Sequence, residues 1–81
     1  MKLDIKLFAG AKEICETDCF QVELPESANV ADLRVALADQ LPQLKPYVDS
    51  LLVAVDTEYA DNETRINPTA TIACFPPVSG G

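Results

Sequence analysis

Hydrophobic and polar positions alternate strictly at the start of the chain. Leu3, Ile5 and Leu7 fall on one side and Lys2, Asp4 and Lys6 on the other, the period-two signature of a half-buried strand. Phe8 continues the alternation onto the polar side. The pattern returns with Phe20, Val22 and Leu24 inward and Gln21 and Glu23 outward, and Pro25 ends it. A long hairpin connection is expected between these strands.

From Val30 the period changes. Val30, Leu33, Leu37 and Leu41 recur at steps of three and four, a spacing that stacks them into one stripe of an amphipathic helix of about three turns. Asn29 is the expected N-cap, Asp32 sits in the first turn where the helix dipole favours an anion, and Pro42 marks the stop. Asp32, Arg34, Asp39 and Gln40 point away from the stripe. Leu51 to Val55 is an unbroken apolar run between Asp49-Ser50 and Asp56-Thr57, which predicts an interior strand buried on both faces. Turn signals at Asp61-Asn62-Glu63 and Asn67-Pro68 bracket a short segment near Thr64 to Ile66. Thr69 to Phe75 predicts the last strand, with Ala70, Ile72 and Cys74 on one side and Thr71, Ala73 and Phe75 on the other.

This order of elements predicts an α+β roll, with one main helix packed on one face of a mixed sheet of four to five strands. If the first and last strands lie parallel and adjacent, Phe8 and Phe75 finish at the same end, on the face away from the helix. Residues 1–75 then form the body and residues 76–81 an extended tail.

Composition narrows the chemistry. The 81 residues suit one small domain, and a 48% apolar content with 23% charged residues is that of a globular chain. A net charge of −7 disfavours nucleic acid and anionic lipid and favours basic protein surfaces. With no long apolar run and no signal-peptide pattern at Met1-Lys2-Leu3-Asp4, a cytoplasmic address is expected and no membrane association. The three cysteines, Cys15, Cys19 and Cys74, form no C-x-x-C pair and suit reduced thiols, with Cys74 inward and Cys15 and Cys19 more exposed. No metal site is expected, since the chain has no histidine and no ligand pair at finger spacing.

The same missing histidine removes the usual base for nucleophilic catalysis. The only glycines are Gly10, Gly80 and Gly81, so no phosphate-binding loop or dinucleotide fingerprint can be written onto the chain. The acidic side chains cluster in connections and turns, as a solvated surface requires. What remains is Phe75-Pro76-Pro77-Val78-Ser79-Gly80-Gly81. The prolines forbid a helix and favour an extended exit from the last strand, long enough to reach about 20 Å. At a glycine usage of about 7%, a terminal doublet arises by chance in roughly one chain in two hundred, which makes Gly80-Gly81 informative. Glycine has no Cβ to obstruct its carbonyl, so such an end can enter a narrow active site of another protein as an acyl group. A free carboxylate is a poor acyl electrophile and must first be activated.

These residues resemble the ubiquitin-like β-grasp sulfur carriers, the family that includes the small subunits of molybdopterin synthase. The resemblance rests on Leu7-Phe8-Ala9 with Lys12-Glu13, Val30-Ala31-Asp32-Leu33-Arg34, Leu52-Val53-Ala54-Val55 and the whole tail from Phe75 to Gly81. It implies that an E1-like adenylyltransferase uses ATP to adenylate Gly81, and that a sulfur donor protein then supplies sulfur to give a thiocarboxylate. The tail next inserts into the large subunit of molybdopterin synthase, in a heterotetramer, and donates sulfur to cyclic pyranopterin monophosphate to form the dithiolene. It further implies that Gly80, Ser79 and Val78 thread the channel, that Phe8, Phe75, Pro76 and Pro77 bind the partner, and that this chain binds no cofactor itself. The sequence departs from the family at Ile66-Asn67-Pro68-Thr69-Ala70-Thr71, where an acidic Asp-Gly turn is usual, and at Cys74, which replaces a common aromatic. Sulfur carriers for thiamine or tRNA thiolation and ubiquitin-like modifiers share the Gly-Gly end. A non-covalent interaction module with an idle tail is the remaining alternative.

Overall fold

The computed structural model describes residues 1–77. In chain order these form β1 (Lys2–Leu7), α1 (Ala9–Cys15), β2 (Cys19–Glu23), α2 (Val30–Gln40), two single 3-10 turns (Pro42–Leu44 and Val48–Ser50), β3 (Leu52–Val55), β4 (Glu58–Tyr59) and β5 (Ile72–Phe75). The strands make one mixed sheet in the order β2-β1-β5-β3-β4. β1 runs antiparallel to β2 and parallel to β5, with Ile5 opposite Ile72 and Leu7 opposite Cys74. The expected adjacency of first and last strands is therefore present.

The alternation read from the sequence decides which face is dry. Leu3, Ile5 and Leu7 of β1 are all within 1% of full burial, and Ile72 and Cys74 of β5 reach 0%, beneath α2. From α2 the stripe Val30, Leu33 and Leu37 closes the core, each at 0% exposure. Leu41 and Phe20 are only half-buried; Phe20 lies on an edge strand, where one flank has no neighbour. β3 is an interior strand with Val53 and Ala54 both buried, as the apolar run implies, while β5 holds the middle of the sheet. No polar or charged residue is buried among the described residues, so the core stands on apolar contact alone.

Helix α2 starts where its capping chemistry dictates. The Asp32 amide donates to Asn29 Oδ1 at 3.0 Å and the Asn29 amide donates to Asp32 Oδ2 at 3.1 Å, a reciprocal capping box. Arg34, expected only to point away from the apolar stripe, has a task there. Its Nη1 donates to the Val48 and Leu51 carbonyls at 2.6 and 2.9 Å, and its Nε to Asn62 Oδ1 at 2.7 Å, three bonds that fasten the α2–β3 and β4–β5 connections to α2.

Three further segments differ from the sequence expectation. The connection after β1 holds α1, which buries Ala11 and Cys15 one turn apart; a seven-residue helix containing Gly10 carries too few apolar positions to show a period. β4 follows a two-residue turn in which Asp56 and Thr57 take positive φ of 51° and 74°, the backbone of a tight hairpin without the usual glycine. Asp56 offsets that strain by exchanging bonds with Thr71, its amide donating to the Thr71 carbonyl and its Oδ1 accepting from the Thr71 amide, both at 2.9 Å. The segment near Thr64 to Ile66 contributes a single bridge, Asn29 to Arg65, and β5 begins at Ile72, three residues later than Thr69, with its facing as expected. No helix among the described residues is long and apolar enough to cross a membrane.

In equilibrium urea unfolding, Asn29→Ala is expected to cost about 1 kcal/mol by loss of the cap. Arg34→Ala should cost more, about 2–3 kcal/mol, because it strands two carbonyl acceptors of the connecting turns. An Arg34→Ala variant as stable as the parent would show that the clamp carries no weight.

Candidate functional site

The parallel pairing of β1 and β5 sets the residues that follow each strand side by side. The Phe8 amide donates to the Cys74 carbonyl at 3.1 Å. Alternation then turns Phe8 and Phe75 to the sheet face opposite α2, where their rings stack with centroids 4.9 Å apart and planes 12° from parallel. Both expected partner-binding aromatics are thus brought together on the face away from the helix. Phe8 remains 41% exposed even though it is stacked.

A third ring, not singled out in the sequence, completes the patch. Tyr59 meets Phe75 edge-on at 6.4 Å and 71° and is 73% exposed. The Asp56-Thr57 turn delivers it, because Tyr59 pairs with Ala54, and Ala54 pairs with Ala73 of β5. The signal lay in Asp56-Thr57 read as a hairpin turn. Small side chains at Ala54 and Ala73 leave a shallow hollow below the rings, with Lys6 and Thr71 at its side. Stacked and edge-on aromatic pairs hold such a surface in one shape before any partner arrives.

The chain leaves the sheet beside this patch. Pro76 and Pro77 follow β5 outside any strand, and Gly10 faces Pro76, whose Cγ would stand 3.7 Å from a Cβ at position 10. The first turn of α1 therefore flanks the exit. Val78, Ser79, Gly80 and Gly81, the expected threading and reacting residues, lie outside the described residues.

The thiols are poorly suited to chemistry. Cys74 lies on the core side at 0% exposure, and burial raises its pKa from 9.0 to about 11, with nearby Arg34 lowering it and Cys15 raising it. Contrary to expectation Cys15 is buried, at 9% exposure, because α1 turns it inward, and burial raises its pKa also. Only Cys19 is exposed. No group of three or more metal-ligating side chains comes together among the described residues.

The mixed sheet, with its first and last strands parallel and adjacent and α2 across one face, defines a ubiquitin-like β-grasp protein. The chain belongs to the ThiS family, whose model matches residues 5–81. The molybdopterin synthase sulfur carrier subunit of Dictyostelium discoideum is 36% identical over 80 residues, covering 95% of this chain and 93% of its own. Among solved structures, SAMP1 of Haloferax volcanii superposes with a TM-score of 0.88 at 29% identity over 100% of both chains. A Pyrococcus furiosus protein taken to be molybdopterin converting factor subunit 1 gives 0.84 at 26% identity, over 96% of this chain and 99% of that one.

The raised thiols tie stability to alkaline pH. Between pH 9.0 and about 11 the unfolded Cys74 thiol ionises while the folded one stays protonated, so stability is full below that window and falls as pH rises through it. The slope for this group reaches roughly 1.4 kcal/mol per pH unit. Replacing Cys74 by Val, similar in size, should flatten denaturation midpoints measured across this range. An unchanged slope would assign the alkaline loss to other groups.

Proposed function

We propose that the chain is a sulfur carrier subunit of a molybdopterin synthase, acting through Gly81. The observation that carries this reading is the aromatic stack at the root of the tail, in a chain whose family match runs through Gly81 and whose Dictyostelium relative is such a subunit. The body docks by Phe8, Phe75 and Tyr59, and Pro76 and Pro77 aim the following residues outward in an extended form. Val78, Ser79 and Gly80 thread a channel too narrow for larger side chains.

In the proposed reaction an E1-like adenylyltransferase binds the ATP. A Gly81 carboxylate oxygen attacks the α-phosphorus and pyrophosphate leaves, giving an acyl adenylate. The terminal sulfur of a donor-protein persulfide then attacks the carbonyl, and AMP departs with the original oxygen. A second thiol cleaves the resulting acyl disulfide, leaving the thiocarboxylate and a disulfide on the donor side. The net change exchanges one oxygen for one sulfur. At neutral pH the resulting thiocarboxylate is ionised and its sulfur is the stronger nucleophile. In the large subunit that sulfur passes to cyclic pyranopterin monophosphate toward the dithiolene, and hydrolysis regenerates the carboxylate. This chain needs no cofactor of its own, and the whole sequence takes place in the cytoplasm.

A second reading, a ubiquitin-like protein modifier, is favoured by the similarity to SAMP1, a small archaeal modifier protein. The readings part at the activated carbonyl: sulfur captures it in a carrier, a lysine amine in a modifier.

Intact-mass measurement of protein from its native host is expected to show a fraction heavier by one oxygen-to-sulfur exchange, absent after deletion of Gly81. Peptides carrying the Gly81 acyl group on lysine, with no thiocarboxylate, would instead favour the modifier. For docking, Phe8→Ala and Phe75→Ala should each weaken binding to the large subunit about tenfold or more with the fold intact by circular dichroism. Undiminished affinity would remove the patch from the interface.

A further inference from the structure

β2 is an edge of the sheet, and its hydrogen-bond phase shows what that edge offers. Met1 and Leu24 exchange bonds, with the Met1 amine donating to the Leu24 carbonyl at 2.6 Å and the Leu24 amide to the Met1 carbonyl at 2.9 Å. At the other end the Leu7 amide donates to the Asp18 carbonyl at 2.9 Å. Even-numbered residues of β2 therefore face β1, and Cys19, Gln21 and Glu23 direct their backbone groups outward. Thr17 Oγ1 occupies those of Cys19, at 2.9 Å to the carbonyl and 3.5 Å from the amide. The amides and carbonyls of Gln21 and Glu23 have no partner among the described residues.

Beside this free edge runs a groove between β2 and α2. Its floor is apolar, built by Leu24, Pro25, Ala36 and Val35, which is 71% exposed. Glu23, Asp32 and Asp39 form its rim, which holds no lysine or arginine among the described residues, while Lys2 lies opposite Glu23 across the strands. Unpaired strand groups, an apolar slot for alternate side chains and an acidic margin are together what an added strand with basic residues requires.

We propose that the β2 edge and this groove form a second docking surface, which takes an extended basic segment of a partner protein as an added strand. The outward groups of Gln21 and Glu23 supply four main-chain hydrogen bonds. Apolar residues of the segment seat on Val35 and Ala36, and its lysines or arginines meet the acidic rim. The rim and the net charge of −7 disfavour a second copy of this chain and anionic lipid. Glu23 pairs with Lys2 at the start of β1, and Phe8 follows its other end, so the surface lies about 20 Å from the tail exit. Both can be occupied at once.

The experiment is a titration of the 15N-labelled full chain with an amidated Lys-Val-Lys-Val-Lys-Val-Lys peptide. Its controls are a counterpart with Glu for each Lys and one interrupted by proline. The expected result is shift changes and slowed amide exchange at Gln21 and Glu23, with further shifts at Val35 and Ala36. Binding should weaken with salt and be absent with either control peptide. Gln21→Pro removes one outward donor without touching the β1 ladder, and Val35→Ser removes the floor from an exposed helical site. Each should weaken binding about tenfold with the remaining spectrum unchanged, while Phe8→Ala leaves it unaltered. The proposal is overturned if shifts centre on Phe8, Tyr59 and Phe75, if the Glu peptide binds equally, if the edge pairs only with a second copy in sedimentation, or if millimolar peptide leaves Gln21 and Glu23 unmoved.

Discussion

The aromatic patch and the start of the tail both depend on the parallel pairing of the first and last strands. Leu7 opposite Cys74 fixes a register in which the residues leaving both strands emerge together at one end of the sheet. Side chains alternate faces, so a slip of one residue would turn Phe75 into the core and Cys74 out of it. The same register that buries Cys74 completely therefore exposes the aromatic stack. It also fixes the start of the tail, because β5 occupies the middle of the sheet and is held on both sides, by β1 and β3. A tail leaving an edge strand would begin from a backbone laddered on one side only. Here Pro76 departs from a strand hydrogen-bonded on both flanks, beside the first turn of α1.

The sheet's two faces divide labour by their chemistry. Toward α2 the face is dry, with no buried polar side chain among the described residues, and stability comes from aliphatic burial. Away from α2, Phe8 and Tyr59 keep 41% and 73% of their surface in water. Leaving large rings exposed forgoes burial worth about 25 cal/mol per Å2 and invites association, which is intelligible where a partner covers them. The body has nothing equivalent for catalysis. It lacks histidine, and its two inward thiols are held protonated by burial. The proposed reactivity accordingly lies in an end group that other proteins activate.

Much of this was legible along the chain because one physical rule wrote it: apolar residues must reach one core. Period two at Leu3, Ile5 and Leu7, period three to four from Val30 and the breaks at Pro25 and Pro42 each mark an element the structure contains. Placing Phe8 and Phe75 on one face needed only alternation plus the guess of a parallel pair. Elements with little burial were illegible. α1 has seven residues and two buried positions, and β4 has two residues, both exposed, after a turn made without glycine. Tyr59 was missed for that reason. Arg34 reads as surface in any helical projection, since its task depends on carbonyls of Val48 and Leu51 that only tertiary structure brings near. The proposed reacting end, Val78 to Gly81, rests on the sequence and the family match.

A carrier and a modifier differ less in body than in company. In either, activation makes the Gly81 carbonyl an electrophile, and the outcome follows from which nucleophile is held nearest to it. A body that presents chiefly aromatic rings at the exit, among the described residues, is poorly equipped to choose between sulfide and amine by chemistry. It can choose by which partner fits the shape of the Phe8, Phe75 and Tyr59 patch. Tyr59 is the member on which such discrimination would act most directly. It is the most exposed of the three rings, stands on a two-residue edge strand, and is oriented by the strained Asp56-Thr57 turn. Its hydroxyl gives the rings of the patch a hydrogen-bonding group of their own, and a site built to pair with a buried hydroxyl discriminates strongly against a ring that lacks it. Under the proposed reading, pathway choice rests with one edge of the aromatic patch, and the Gly-Gly end follows wherever that edge docks.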